Sequence, residues 1–367
     1  MAPLTEYKFT PDYAIHPGEI LEETLQARRM KKSEFAERCG LSQKQLSLIV
    51  TGKAAVTPGS AIQFERVLGI AASVWNNLNA NYTLFVARKR ELEELKEQKA
   101  WANRFPVNEL VERGIIEKPR GPVDKVRKLL DFFGVGSVGA WDTMFTQAQV
   151  AYLGSPSLES CQESVAAWLR IGERTAAGID CAQYGKRHFK YALGEIRKLT
   201  GKRPRTFEPR MKQLCLDAGV IPVLVSELPR TRLRGATFWL NGDKAVIMLS
   251  LRHKTDDHFW FSFFHEAAHI LFHGKTSTFV DEDVAGIARD QKEEDANRFA
   301  ADILIHRADY KAFVRDSCFH KTAIVHFARR VDVAPGIVVG RLQHDGEIPY
   351  NCLNHLKRNF ELVEATT

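Results

Sequence analysis

No stretch of this 367-residue chain stays apolar for the ~20 residues that a membrane-spanning helix needs. The longest apolar runs, such as Ala218 to Val225 and Phe259 to Phe264, stop far short. Nor do the first residues, Met1 to Thr10, contain the apolar core of a secretory signal, so a cytoplasmic location without membrane partners is expected. Cysteine is sparse. Six residues (Cys39, Cys161, Cys181, Cys215, Cys318 and Cys352) lie far apart with no CxxC pair, and they read as reduced thiols rather than a disulfide framework. Neither sign of charge dominates. The 52 Lys and Arg against 45 Asp and Glu leave a net +7, compatible with a polyanionic partner without proving one.

A content of 44% hydrophobic and 26% charged residues is that of a soluble globular protein, and the length favours two or three domains over a single core. Residues 1–87 are dense with helical signals. His16-Pro17-Gly18 introduces a helix with Ile20, Leu21, Thr24 and Leu25 on one stripe. A second helix, about Ser33 to Cys39, stops at Gly40; Lys31 stands where a capping Ser or Thr would strengthen its start. Ser42 and Gln45 then have the spacing of a capping box for a third helix, which Gly52 ends. A fourth begins near Pro58 and carries Ile62, Phe64, Val67 and Leu68.

Two short helices joined by a glycine-containing turn have the grammar of a helix-turn-helix, whose second helix enters the major groove with its early residues on base edges. Here those residues are Gln43, Lys44, Gln45 and Ser47, with Leu46 and Ile49 on the core side. Glutamine can bridge adenine, and lysine can reach guanine or phosphate. Lys32, Thr51 and Lys53 are expected on phosphates, which position without specifying. Double-stranded operator DNA is the expected partner, with a homodimer if the operator is palindromic. A protein-docking domain is the alternative.

Residues 88–205 read as a connector helix followed by helical scaffold. In the charged run from Arg88 to Lys99 only Leu92 and Leu95 are apolar, which suits a solvated helix with i,i+4 ion pairs; a dimerisation helix is the other reading. After Arg205 the character changes. Val220 to Val225 reads as a buried strand, and Ala236 to Leu240, Asn241-Gly242 and Ala245 to Leu251 as a β-hairpin. The Ala245 to Leu251 strand either pairs with an extended substrate or is an ordinary sheet member. Residues 206–367 are thus expected to form an α+β domain with a small antiparallel sheet, and the chain as a whole is α+β.

The chemistry is concentrated in His265-Glu266-Ala267-Ala268-His269, an HExxH on a helix that is otherwise apolar and aromatic. Histidines at i and i+4 share one face and can grip one Zn²⁺, with Glu266 beside the water that attacks. After 23 intervening residues a second helical segment brings Glu293-Glu294-Asp295-Ala296-Asn297. The third ligand is Glu293, with Glu294 as the alternate; from Glu293, Asn297 lies one turn on as a supporting hydrogen-bond partner. Ala296 and Ala300 leave room for the two helices to approach. Two His and one carboxylate leave a fourth position open, the pattern of a catalytic rather than a structural zinc. Glu266 would take the proton of the attacking water and deliver it to the leaving amine. His273, before Gly274, is expected to cap the helix C-terminus. His273, His306 and Arg298 are weaker candidates for an oxyanion donor.

Two segments also resemble known families. His16–Leu21 (HPGEIL) through Val74–Tyr82 (VWNNLNANY) resembles the HigA-type antitoxin branch of the xenobiotic-response-element (XRE) helix-turn-helix family. His265–Gly274 (HEAAHILFHG) with Glu293–Ile305 (EEDANRFAADILI) resembles the ImmA/IrrE family of zinc metallopeptidases, and Pro335–Leu342 resembles the start of that family's C-terminal helix. Asp295 replaces the second acid of the family's third-ligand motif, and His306-Arg307 stands where a proline commonly follows. The resemblance implies a gluzincin-like fold, Zn²⁺ on His265, His269 and Glu293, and Glu266 as the base. It implies a DNA-binding regulator that cleaves a repressor- or antitoxin-type protein, or itself, under stress. The alternative it leaves is an antitoxin-repressor that neutralises a ribonuclease toxin, with the peptidase-like domain used only for binding or sensing.

Overall fold

A computed structural model describes residues 13–152, 161–240, 242–274, 279–282, 291–316 and 319–361. Met1–Thr10, Asn241 and Cys318, on which parts of the sequence reading rest, lie outside them. The chain divides into two compact units, Met1–Lys99 and Ala100–Thr367. None of the described helices is long and apolar enough to cross a membrane.

The N-terminal unit is all helical: α1 (Pro17–Ala27), α2 (Lys32–Cys39), α3 (Gln43–Val50), α4 (Pro58–Leu68) and α5 (Ala72–Glu97). Leu21, Phe35, Leu46, Phe64 and Trp75 fill its core. Local chemistry sets the boundaries. Gly40 and Gly69 end α2 and α4 in the left-handed conformation, where a residue without Cβ is unstrained. Ser42 Oγ accepts from Gln45 N at 3.1 Å to start α3, and Thr57 Oγ1 accepts from Ser60 N at 3.2 Å to start α4; each such cap contributes about 1 kcal/mol. Lys31 supplies no side-chain cap. One expectation fails: Ile62 is 47% exposed, because α4 turns Ala61, Phe64 and Leu68 inward instead. The charged run continues α5 as one 26-residue helix, with Arg90–Glu94 and Lys96–Glu93 pairs along it; Leu92 is exposed and Leu95 buried.

The chain enters the second unit through α6 (Lys99–Ala102), α7 (Val107–Glu112), α8 (Pro122–Phe133) and α9 (Val138–Tyr152). Next come α10 (Gln162–Ala177), α11 (Lys186–Arg197), α12 (Pro204–Asp217), β1 (Val220–Leu224), β2 (Leu233–Leu240) and β3 (Lys244–Leu249). The long helix α13 (Asp256–Phe272) is followed by β4 (Phe279–Glu282), α14 (Gln291–Leu304), α15 (Arg307–Arg315), α16 (Lys321–Arg330) and α17 (Pro335–His344).

The sheet is mixed, not antiparallel as the hairpin reading implied. Its order is β1-β3-β2-β4, with β1 parallel to β3 and the other pairs antiparallel. The expected β2–β3 hairpin forms, but β3 is inserted between β1 and β2, a long-range pairing invisible to local pattern. Both of its backbone edges are therefore committed, and β3 cannot accept a substrate strand. Burial on both faces explains its unbroken apolar run, Ala245 to Leu249. Ala245, Ile247 and Leu249 pack into the core with Phe259, Trp260, Phe263 and Phe264 of α13. On the other face Met248 lies against Gly172 of α10, where a Cβ would collide with its sulfur, and Trp168 Nε1 donates to Val225 O at 3.0 Å. Helices of the 88–205 region thus cover the sheet.

Candidate metal centre and recognition helix

Almost every residue of α13 is buried, the two histidines included: His265 and His269 are each 1% exposed and Glu266 is 0%. Burying three polar groups in an aromatic helix costs several kcal/mol unless each is partnered, and the partners define the site. His265 Nε2 and His269 Nε2 converge at 3.1 Å. Glu293, in the first turn of α14, brings Oε2 to 3.2 Å from His265 Nε2 and Oε1 to 3.4 Å from His269 Nε2. All three ligand atoms lie within 4.8 Å of one another. Ligands at tetrahedral angles around Zn²⁺, with bonds near 2.0–2.1 Å, are separated by about 3.3 Å, so the donor set fits such an ion. Glu294, the alternate, is not in this cluster.

The outer nitrogens are held too. His265 Nδ1 lies 3.0 Å from Asn297 Oδ1; an amide oxygen can only accept, so Nδ1 carries the proton and Nε2 turns its lone pair to the centre. His269 Nδ1 lies 2.9 Å from His273 Nδ1. His273 occupies the expected C-cap position of α13, and its ring also meets the second histidine. Burial, then the neighbouring imidazoles and Lys292, pushes the pKa of His269 down to about 2, so its ring is neutral and available as a ligand. Of the three weaker candidates for an oxyanion donor, His273 meets His269, His306 caps α15 by accepting from Ala308 N, and the Arg298 side chain is 61% exposed beside Asp295.

Sequence reasoning missed what holds Glu266. Thr237 Oγ1 on β2 donates to Glu266 Oε2 at 2.6 Å and to its backbone carbonyl at 3.2 Å. One pair further along the same face, a Cβ on Gly235 would lie 2.6 Å from Glu266 Oε1, so only glycine admits the carboxylate there. The only local hint was a Gly-Ala-Thr run inside a strand.

In the N-terminal unit, Gln43, Lys44, Gln45 and Ser47 are exposed along α3 while Leu46, Ile49 and Val50 are buried. Thr51 and Lys53 follow on the surface, with the Thr51 hydroxyl turned to Ser47 O at 2.8 Å. Lys32 is exposed but ion-paired with Glu22, so a phosphate would have to compete for it. The His16-Pro17-Gly18 segment is a packing joint: His16 Nδ1 accepts from Gly18 N at 2.9 Å, and its ring stands edge-on to Tyr82 at 4.7 Å. Gly18 lies against the carbonyls of Ile49 and Val50, where a Cβ would clash with backbone.

A capped helix-turn-helix in one unit and, in the other, two buried histidines facing a half-buried Glu293 combine a DNA-binding type of fold with a candidate metal centre. Comparison with known proteins agrees. The family model for a helix-turn-helix matches residues 21–75, and that for the IrrE N-terminal-like domain matches residues 220–343. The HTH-type transcriptional regulator YddM of Escherichia coli K12, described as uncharacterized, is 36% identical over 73 residues, which are 20% of this chain and 78% of the relative. A solved structure of an addiction module antidote protein of a HigA family from Coxiella burnetii is 26% identical. It covers 23% of this chain and 92% of that one, with a TM-score of 0.21. The chain belongs to the helix-turn-helix transcriptional regulators and carries an IrrE-like peptidase domain.

Proposed function

We propose that this regulator is a zinc-dependent endopeptidase that binds operator DNA and, on a stress signal, cleaves a repressor- or antitoxin-type protein or itself. The observation that carries the reading is Glu266. A domain kept only for docking has no use for a carboxylate buried one residue from a metal ligand and held by Thr237 and the gap at Gly235. Bound zinc supplies a Lewis acid that polarises a scissile carbonyl and acidifies water. The chain's own residues do the rest. His265, His269 and Glu293 would hold the ion; Asn297 fixes the tautomer of His265, and His273 meets the outer nitrogen of His269. Thr237 orients Glu266, which takes the proton from attacking water and passes it to the leaving amine.

The test compares wild type with Glu266→Gln, expressed at equal levels in cells lacking the native protein, before and after DNA damage. New protein N-termini are mapped by mass spectrometry. Cleavage of a DNA-binding protein or of this chain should appear in wild type only, with zinc content equal in both proteins. Identical cleavage by the variant would sink the mechanism. No cleavage in either would leave the second reading, a repressor-antitoxin that binds a toxin without proteolysis.

A further inference from the structure

We propose that the outer faces of α11 and α12 form a second nucleic-acid surface, one that grips the phosphate backbone of duplex DNA without reading its sequence. Between Lys186 and Asp217 stand ten Lys and Arg against three carboxylates, Glu195, Glu208 and Asp217. That excess of seven equals the net charge of the whole chain, so the remaining residues balance. The two helices turn this charge outward. Phe189, Leu193 and Ile196 of α11 and Phe207, Met211 and Cys215 of α12 are buried in the core of the second unit. Nine of the ten cations are exposed. The tenth, Arg197, is half-buried and donates to the carbonyls of Ile303, Leu304 and Val331. Gly185 N donates to Ala218 O and Ala182 N to Leu216 O, so the start of α11 lies beside the end of α12 and the two packed helices run side by side.

Pairing does not cancel the excess. Lys198 pairs with Glu195, and among the described residues no carboxylate outside the segment pairs with any of the ten. The C-terminal segment adds to the charge: exposed Arg358 donates through Nη1 to Gly201 O at 2.8 Å, fixing a further cation on the turn between the helices. Neither helix has a side-chain cap or an acid in its first turn, and Lys186 and Arg187 of α11 and Arg205 of α12 stand there instead. Cations in that position oppose the positive end of the helix dipole, a conflict that a bound anion relieves. Duplex DNA presents one phosphate charge per ~1.7 Å, a density suited to nine cations spread over helices about 20 Å long. A lipid surface would need an apolar face to insert. The only large hydrophobic side chain exposed on either helix is Tyr191, whose hydroxyl suits a phosphate or sugar contact instead. The helix-turn-helix on the same chain would hold DNA within reach, so even a weak second contact gains from the tether. Neither zinc nor proteolysis enters into this surface.

The experiment is fluorescence anisotropy of a labelled random-sequence duplex titrated with the full chain over graded salt. A patch variant carrying Lys190→Gln, Arg205→Gln and Lys212→Gln is compared with one of equal charge elsewhere in the unit, carrying Lys311→Gln, Arg315→Gln and Lys321→Gln. The patch variant should bind the duplex at least about tenfold more weakly near 0.1 M salt and lower the salt slope by about two to three. The comparison variant should stay within about twofold of wild type. Circular dichroism melts check that both are folded. If the patch variant is not, Arg205→Gln alone, expected to lower the slope by about one, decides the matter. Equal losses in the two variants, or no loss in either, would overturn the assignment. So would a patch variant that keeps its duplex affinity but loses binding to vesicles containing phosphatidylserine, since the surface would then be a lipid site.

Discussion

On α3 the residues expected to read DNA stand exposed on an eight-residue helix, whereas on α13 the candidate metal ligands and base are at most 1% exposed in a seventeen-residue one. The two regions separate function from stability in opposite ways. Gln43, Lys44, Gln45 and Ser47 belong to no core, so the unit's fold rests on other residues: the Ser42 cap, the Gly18 contact and Leu46, Ile49 and Val50 beneath. His265, His269 and Glu266 are part of the core, and their neighbours Thr237, Asn297 and Gly235 exist to make that burial tolerable. Altering the first region should change binding and spare the fold; altering the second should touch both.

The largest expected effect breaks the metal centre. His265→Ala should abolish the zinc expected at about one per chain, while Asn297→Ala should keep the site but weaken its metal affinity by roughly 10–100-fold. Metal analysis after dialysis against graded chelator checks both, and full zinc in His265→Ala would refute the ligand set. Next, Gly18→Ala puts a Cβ against the Ile49 and Val50 carbonyls and should cost about 1–3 kcal/mol, loosening operator binding although it touches no DNA-facing residue. Thermal melts of that variant settle the point; wild-type stability would remove the packing joint.

A smaller effect concerns Asp256. Burial, opposed by a hydrogen bond from Arg358 N, raises its pKa from 3.8 to about 6. The folded state therefore holds the proton more tightly. Stability from the protonated form is complete below about pH 3.8 and is lost as pH rises through about 6. Asp256→Asn should raise the melting temperature above pH 6, with a gain in stability of up to about 3 kcal/mol, and the gain should vanish near pH 4. A pH-independent difference would count against the linkage. Smallest of all, Lys44→Ala should leave the melt untouched, cost about 1 kcal/mol of operator affinity and lower the salt slope by about one if it meets phosphate. Unchanged affinity would take Lys44 off the interface.

Much of the site was legible because its signals are local. The i,i+4 histidines, the Glu293 to Asn297 turn and the Ser42 cap each need only helical geometry, and the structure brings those atoms together at hydrogen-bond distances. What the sequence concealed depends on chain segments far apart. Thr237 and Gly235 reach Glu266 from a strand about 30 positions earlier, and β1 pairs with β3 across an intervening strand. His273 is the helix C-cap that its place before Gly274 suggested, but its contact with His269 joins side chains that the capping pattern does not relate.

By itself, then, the sequence determined the two candidate functional helices, the Ser42 cap and the residue types able to hold an ion or face a groove. Periodicity and capping are short-range properties, written within a turn or two. Only the tertiary structure decided that the sheet is mixed, that β3 has no spare edge, and that Glu266 is gripped from β2. Those outcomes follow from close packing between distant segments, where a single Cβ at Gly235 or Gly340 would collide with the carboxylate each glycine admits.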